Sequence, residues 1–211
     1  MSTKKKPTIH PSQNGPYIVE GLENLLNSKK TVKAEPKMAL CRCGGSNNKP
    51  FCDGTHVKNG FSSEKLEGRV ADKREDYSDS DITIHDNRGI CAHAGRCTDG
   101  LPAVFKLGTE PWIDPDAASA KEVSDVIRSC PSGALSYTSA EIESPEQETD
   151  ATVFIAPNGP YVVTGGPELL ETHRGEGASK EHFTLCRCGG SKNKPFCDGT
   201  HWHIKFVDDK N

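Results

Sequence analysis

Three cysteines and a histidine stand close together twice in this chain: Cys41, Cys43, Cys52 and His56, then Cys186, Cys188, Cys197 and His201. The segments that carry them, CRCGGSNNKPFCDGTH and CRCGGSKNKPFCDGTH, agree at fifteen of sixteen positions and differ only at Asn47 against Lys192. Three soft thiolates and one imidazole suit a zinc ion or an iron–sulfur cluster. Structural zinc knuckles use C-x2-4-C, so that both sulfurs fold onto one ion, and Cys41-Arg-Cys43 is tighter than that. The step from Cys52 to His56 places both side chains on one side of a helical turn. A two-plus-two grouping fits two irons with two protein ligands each, while zinc stays open on residue types alone.

A third group of cysteines lies between the repeats. Cys91 and Cys97 are spaced C-x5-C, and Cys130-Pro131 follows. Bacterial ferredoxins use C-x2-C-x2-C with a distant C-P. Removing the central cysteine of that run leaves the C-x5-C seen here, with Ala94 at the vacant position. Three thiolates with one corner missing favour a [3Fe–4S] cluster. His93, beside the vacancy, is either a fourth ligand for a [4Fe–4S] cluster or an ordinary polar loop residue.

These groups need scaffolds, and composition limits what the scaffolds can be. The 211 residues are 33% hydrophobic and 6% aromatic, with 20 glycines, 14 prolines and nine cysteines. Thin cores of this kind are held together by metals or disulfides, and disulfides cannot pair an odd number of cysteines. No apolar run is long enough to span a bilayer. The N-terminus has no apolar segment of the kind a secretory signal needs. A cytoplasmic address and reduced thiols are therefore expected, with no membrane partner. The net charge of −4 gives no footprint for nucleic acid. Neither a dinucleotide fingerprint, a P-loop, a Gly-x-Ser-x-Gly turn nor paired carboxylates appears, so the chain is not expected to be an enzyme.

The repeat is longer than the cysteine segment. NGPYIVEG at Asn14–Gly21 recurs as NGPYVVTG at Asn158–Gly165, giving a repeated unit of about 43 residues. Two copies make a pseudo-twofold pair within one chain, so a monomer with internal symmetry is expected. PYIVEG, PYVVTG, KMALC and HFTLC read as strands, the cysteine segments as loops, and CDGTH as the start of a short helix capped by Asp53 or Asp198. Those two aspartates are candidates for caps or for groups hydrogen-bonding around the metal ligands. Pro50 and Pro195 stiffen the loops, and Lys49 and Lys194 are expected at the solvated surface. In the middle, DITIHD and GALSY read as strands. DPDAASAKEVSDVIRSC reads as a helix with Ser119 and Glu122 as a capping box. The expected organisation is a tail over 1–13, a first unit over 14–66, a charged linker over 67–80, a middle unit over 81–138, an acidic linker over 139–151 and a second unit over 152–211.

Both repeats resemble the CDGSH iron–sulfur family of mitoNEET-like proteins, whose pattern is C-x-C-x2-S/T-x3-P-x-C-D-G-S/A/T-H. The match runs through Cys41, Cys43, Ser46, Pro50, Cys52, Asp53, Gly54, Thr55 and His56, and through Cys186, Cys188, Ser191, Pro195, Cys197, Asp198, Gly199, Thr200 and His201. The resemblance implies one [2Fe–2S] cluster per motif, with Cys41 and Cys43 on the inner iron and Cys52 and His56 on the outer. In the second motif Cys186 pairs with Cys188, and Cys197 with His201. It also implies an intrachain pseudo-dimer, here interrupted by about 130 residues. Residues 82–137 resemble divergent single-cluster ferredoxins, some of which carry [3Fe–4S] clusters. The fold class expected is therefore α+β: two small β-rich CDGSH units forming a pseudo-dimer, with a small ferredoxin-like α+β unit between them. The implied function is one-electron transfer or storage, meeting a redox partner protein. The alternatives are a cluster carrier or sensor that hands its cluster to an apo-acceptor, and a zinc-stapled interaction module. One neutral imidazole per cluster makes the oxidised site less negative than four thiolates would. Its potential should then fall between plant-type clusters at about −400 mV and Rieske clusters at about −150 to +300 mV.

Overall fold

The computed structural model describes residues 6–29, 31–140, 149–173, 175, 176, 178, 179 and 181–211. Most of the expected acidic linker and the first five residues lie outside these.

The first unit contributes β1 (Thr8–Pro11), β2 (Tyr17–Glu20), β3 (Asn24–Asn27), β4 (Thr31–Val32) and β5 (Lys37–Leu40), then the short helix α1 (Thr55–Lys58). The middle unit contributes β6 (Glu75–Ser78), β7 (Ile82–Asp86), α2 (Arg96–Gly100), α3 (Ala120–Arg128) and β8 (Leu135–Ser139). The second unit contributes β9 (Thr152–Ile155), β10 (Tyr161–Thr164), β11 (Glu168–Leu169), β12 (Phe183–Leu185) and α4 (Thr200–His203). Among the described residues no helix is long and apolar enough to cross a membrane.

The two CDGSH units exchange strands. One sheet runs β11-β1-β2-β5 and the other β12-β10-β9-β3-β4, so the first contains β11 lent by the second unit, and the second contains β3, with its partner β4, lent by the first. The lent strands pair parallel, Thr8 with Glu168 in one sheet and Asn24 with Thr152 in the other. The shift that carries Asn14 to Asn158 also carries one pairing onto the other. This is the pseudo-twofold expected from the repeat. The alternation Tyr17-x-Val19 and Tyr161-x-Val163 turns those side chains into a single core, with Leu25, Leu40, Ile155, Leu169, Phe183 and Leu185. A unit this small buries too little apolar surface by itself. Sharing one core between two copies removes that limit.

The middle unit has its own sheet, β6-β7-β8, covered by α3. Its core gathers Ile82, Ile84, Phe105, Trp112, Val123 and Ile127. Helix α3 starts as expected: the Ser119 side chain accepts from the Glu122 N–H, and the Glu122 carboxylate accepts from the Ser119 N–H at 3.1 Å. Cys130 packs against both cores, at the seam between the middle unit and the strand-exchanged pair.

Two expectations change. Residues 1–13 are not all tail, because Thr8–Pro11 form β1 and Ile9 is fully buried. One apolar residue in four gives no periodic signal; β1 exists because it lies between β2 and the lent β11. Residues 67–80 likewise include strand β6, polar except for Tyr77 and held by backbone pairing to β7.

Candidate metal centres

Each cysteine loop leaves an edge strand directly. After β5, Cys41 donates its N–H to the Pro50 carbonyl, and Cys52 donates to the Ala39 carbonyl; Cys186 and Cys197 repeat this with Pro195 and Thr184. The loop is thus tied back to the strand that launches it. Ser46 donates to the Phe51 carbonyl at 2.6 Å and Ser191 to that of Phe196 at 2.7 Å, closing each loop from inside. Gly54 and Gly199 take the left-handed backbone conformation that starts α1 and α4 and swings the histidine back toward its cysteine.

The ligand-type atoms come together in pairs. Cys41 Sγ and Cys43 Sγ are 3.9 Å apart, and Cys52 Sγ lies 3.4 Å from His56 Nδ1. In the second loop the distances are 3.8 Å for Cys186–Cys188 and 3.4 Å for Cys197–His201. Two sulfurs at about 2.3 Å from one tetrahedral metal lie about 3.8 Å apart, and a sulfur and an imidazole nitrogen about 3.5 Å. Both pairs in both loops fit that test, and Nδ1 is the nitrogen presented. Among the described residues, no three His, Cys, Asp or Glu side chains are gathered as a single ion would need. The donor set therefore suits two irons held two ligands each, the sulfur-rich surroundings iron–sulfur centres prefer. Backbone N–H groups of Gly45, Gly54 and Gly190 point at the sulfurs of Cys43, Cys52 and Cys188, each at 3.4 Å. Such bonds favour added negative charge on a cluster.

The thiols are costly to ionise in the absence of a cation. Burial pushes Cys41 up to about 11 and Cys197 well above its ordinary range. Between Cys186 and Cys188 the hydrogen bond places the charge on Cys186 and holds the Cys188 proton. Filling these sites with iron must expel protons.

Asp53 and Asp198 act as caps. Asp53 accepts from the N–H groups of Thr55 at 3.0 Å and Asn47 at 2.8 Å; Asp198 accepts from Thr200 and Lys192 at the same distances. The Thr55 hydroxyl, followed by these N–H groups, holds the Asp53 carboxyl well below its usual range. For Asp198 burial pulls the other way, but the Thr200 hydroxyl and the same N–H bonds win. Lys194 is not at the solvated surface as expected, while Lys49 is partly exposed. Each ammonium donates at 2.7 Å to a loop carbonyl, Ser46 or Ser191, and Lys194 is buried.

The loops meet back to back. Cys43 and Cys188 form an antiparallel bridge. A Cβ on Gly44 would lie 2.6 Å from the Cys188 carbonyl oxygen, and one on Gly189 would lie 2.6 Å from that of Cys43. Only glycine allows this approach. Tyr17 donates across the pair to the Cys186 carbonyl, and Tyr161 to that of Cys41, both at 2.9 Å.

Sequence reasoning missed the arginines of the C-R-C steps. Arg42 lies over Tyr17 and Phe61, Arg187 over Tyr161 and Phe206. Arg187 is buried and forms an ion pair with Asp208, and it also donates to the carbonyls of Gly159 and Ala156. Arg42 is also buried and donates to Ser12 O, but its Nε has no partner. Where the second unit has Asp208, bonded through its N–H to Asn158 Oδ1, the first has Ser63, bonded the same way to Asn14 Oδ1. The signal was present in the sequence as a charged residue kept between two cysteines in both copies.

In the middle unit Cys91, Cys97 and Cys130 line one cavity of about 310 Å3, together with Asp86, Arg88 and Ser132. That volume is at the small end for a bound group. The three thiols are near enough that the charge of Cys130 raises both Cys91 and Cys97, after burial, which is the larger cause and pushes Cys91 up to about 11. Three thiols lining one cavity fit a ferredoxin-type cluster with three cysteine ligands. His93 lines the same cavity, yet its ring also lies against the second CDGSH loop: a Cβ on Gly199 would be 2.7 Å from His93 Cδ2.

Comparison with known proteins agrees with this layout. Residues 14–57 and 158–202 match the family described as iron-binding zinc finger, CDGSH type, and residues 77–140 match the divergent 4Fe-4S mono-cluster family. The chain is 43% identical over 61 residues to the uncharacterized protein YjdI of Escherichia coli strain K12, and equally to YjdI of Escherichia coli O157:H7. Each match covers 29% of this chain and 80% of the relative. No solved structure matches.

Proposed function

The chain belongs to the CDGSH-type iron-binding family through its two repeats, and to the divergent 4Fe–4S mono-cluster family through its middle. Starting from its iron–sulfur binding, we propose that it is a one-electron transfer or storage protein. The ligands would be Cys41, Cys43, Cys52 and His56 for one [2Fe–2S] cluster, and Cys186, Cys188, Cys197 and His201 for the other. Cys91, Cys97 and Cys130 would hold the middle cluster, as [4Fe–4S] with an open corner or as [3Fe–4S]. When bound, such clusters supply reversible one-electron chemistry. The protein supplies paired ligands, N–H donors aimed at sulfur, and buried arginines nearby.

The observation that carries this reading is the back-to-back contact of the two loops at Cys43 and Cys188, with a third cysteine site next to them. A carrier that hands over its cluster has no use for three sites packed this way. The partner in this reading is a redox protein, and the protein itself is not an enzyme. None of the nine cysteines is joined in a disulfide, which suits a reducing compartment such as the cytoplasm.

Anaerobic purification followed by iron, acid-labile sulfide and zinc analysis, then a potentiometric titration followed by visible absorbance, tests the proposal. Reversible one-electron waves with iron retained support it. Transfer of iron and sulfide to apo-ferredoxin at each reduction would replace it with the carrier reading. Colourless protein containing zinc would leave only the stapled module.

A further inference from the structure

The repeat is symmetric in its backbone and asymmetric in what covers it. Cys52 and His56 are partly exposed, whereas Cys197 and His201 are buried, at 2% and 4% exposure. The ferredoxin-like unit and the segment leading into it make the difference. Asn193 in the second loop donates to the Gly89 carbonyl at 2.5 Å, and Leu66 donates its N–H to Lys192 O at 2.8 Å. The His93 ring packs on Gly199, the residue that starts the helix carrying His201. His93 is held in place by a left-handed backbone conformation, φ 53°, two residues after Cys91.

We propose that the middle site is coupled to the second CDGSH site through the His93–Gly199 contact, and to the first only through the second. The three sites then form a line, ordered middle, second, first, with the half-exposed first site at the outer end. In each internal step one electron leaves one centre and arrives at the next. The donor is oxidised and the acceptor reduced by one charge, and no proton or further reactant is required. The second link of the line is the Cys43–Cys188 backbone contact. This inference rests on the iron–sulfur reading above.

The test is microwave power saturation in EPR of the full chain, frozen after reduction with excess dithionite. His56→Cys and His201→Cys each replace an imidazole by a thiolate and so move one CDGSH signal, which assigns the two. The second-site signal is expected to need several-fold more power to saturate than the first, because a paramagnet beside it speeds its relaxation. The triple variant Cys91→Ser, Cys97→Ser, Cys130→Ser should bring the two together. Equal saturation in the full chain, or a first site that relaxes faster, overturns the inference. If the triple variant does not fold, the full-chain comparison decides alone. Chemically reduced, frozen centres report proximity even if the protein proves to be a cluster carrier, so failure of the electron-transfer reading is seen separately, in the apo-ferredoxin assay.

Discussion

The rings of Tyr17 and Tyr161 meet edge to face, 6.0 Å between centroids and 86° between planes, at the centre of the strand-exchanged core. Each hydroxyl crosses to the other unit's cysteine loop. Tyr17 donates to the carbonyls of Cys186 and Pro195 at 2.9 and 3.0 Å, and Tyr161 to those of Cys41 and Pro50 at 2.9 and 3.1 Å. Each loop therefore depends on the strand of the opposite repeat. Folding of one half and geometry of the other site are linked through a single oxygen atom.

That crossing gives a prediction with a direction. Tyr17→Phe keeps the ring contact and removes the hydroxyl, leaving the buried Cys186 and Pro195 carbonyls without this donor. The cost is about 1–3 kcal/mol, and a drop in thermal midpoint should follow. Local damage should appear in the second motif, although the substitution is in the first repeat. Cluster loss followed by visible absorbance, with the two sites told apart by the His56→Cys and His201→Cys variants, checks this. Tyr161→Phe should do the reverse. Faster loss from the mutated repeat's own motif would contradict the crossed arrangement.

The arginines predict unequal potentials. Arg187 is neutralised by Asp208, while Arg42 donates to Ser12 O, has an unpartnered Nε and forms no ion pair among the described residues. A positive charge near a site favours the electron-rich form. A unit charge about 10 Å away at an effective dielectric near 20 is worth about 1.7 kcal/mol, or about 70 mV for one electron. Two waves are expected in a potentiometric titration, with the first motif higher. Asp208→Asn should move the lower wave upward and also destabilise the fold by about 3–5 kcal/mol, because it leaves a buried charge unpaired. Ser63→Asp, offering Arg42 the missing partner, should move the upper wave down. A single wave unmoved by either change would show that the guanidinium fields do not reach the sites.

Acid should act on the two motifs in order. A proton and iron compete for the same imidazole nitrogen, Nδ1, so a ring that resists protonation keeps its metal to lower pH. Burial holds His201 below the ordinary histidine value; the Arg187, His93 and His203 charges add to this, against Asp198. His56 is only half-buried. As pH falls from about 8 to about 5.5, across the ordinary histidine range, absorbance should be lost in two phases, the first-motif site leading. In His56→Cys the fast phase should disappear. If it disappears in His201→Cys instead, burial is not what sets the order.

Much of this was legible because it was written twice. The ligands, the Asp caps and strands β2, β5, β10 and β12 all fall inside the repeated unit, where alternation and turn residues are clear. The Ser119–Glu122 box marked α3 by a local rule that needs no tertiary information. What could not be read was set by the partner across the pseudo-twofold. Strand β1 has only Ile9 to bury, and β11 is two residues long; both exist because the opposite repeat supplies a neighbour. Lys194 looked like surface for the same reason: the ammonium turns inward to Ser191 O only once the loop has closed. The contact of His93 with Gly199 joins residues far apart in sequence, and neither residue alone carries a signal for it.

The same contact decides what His93 does at the middle site. The ring is packed on Gly199, and its N–H backbone group, rather than the ring, is directed at the Cys91 sulfur, where it lowers the cost of the thiolate. A ring engaged in this way is expected to be a spacer between two sites and not an iron ligand. His93→Ala should therefore leave the iron and sulfide content and the nuclearity seen by EPR unchanged. It should, however, open His201 to acid, because the cover over Gly199 is gone. His93→Gln, which restores bulk without an imidazole, should recover much of that shielding. Loss of one iron per chain in His93→Ala, with a changed spin state in the middle centre, would make His93 the fourth ligand and remove the spacer argument.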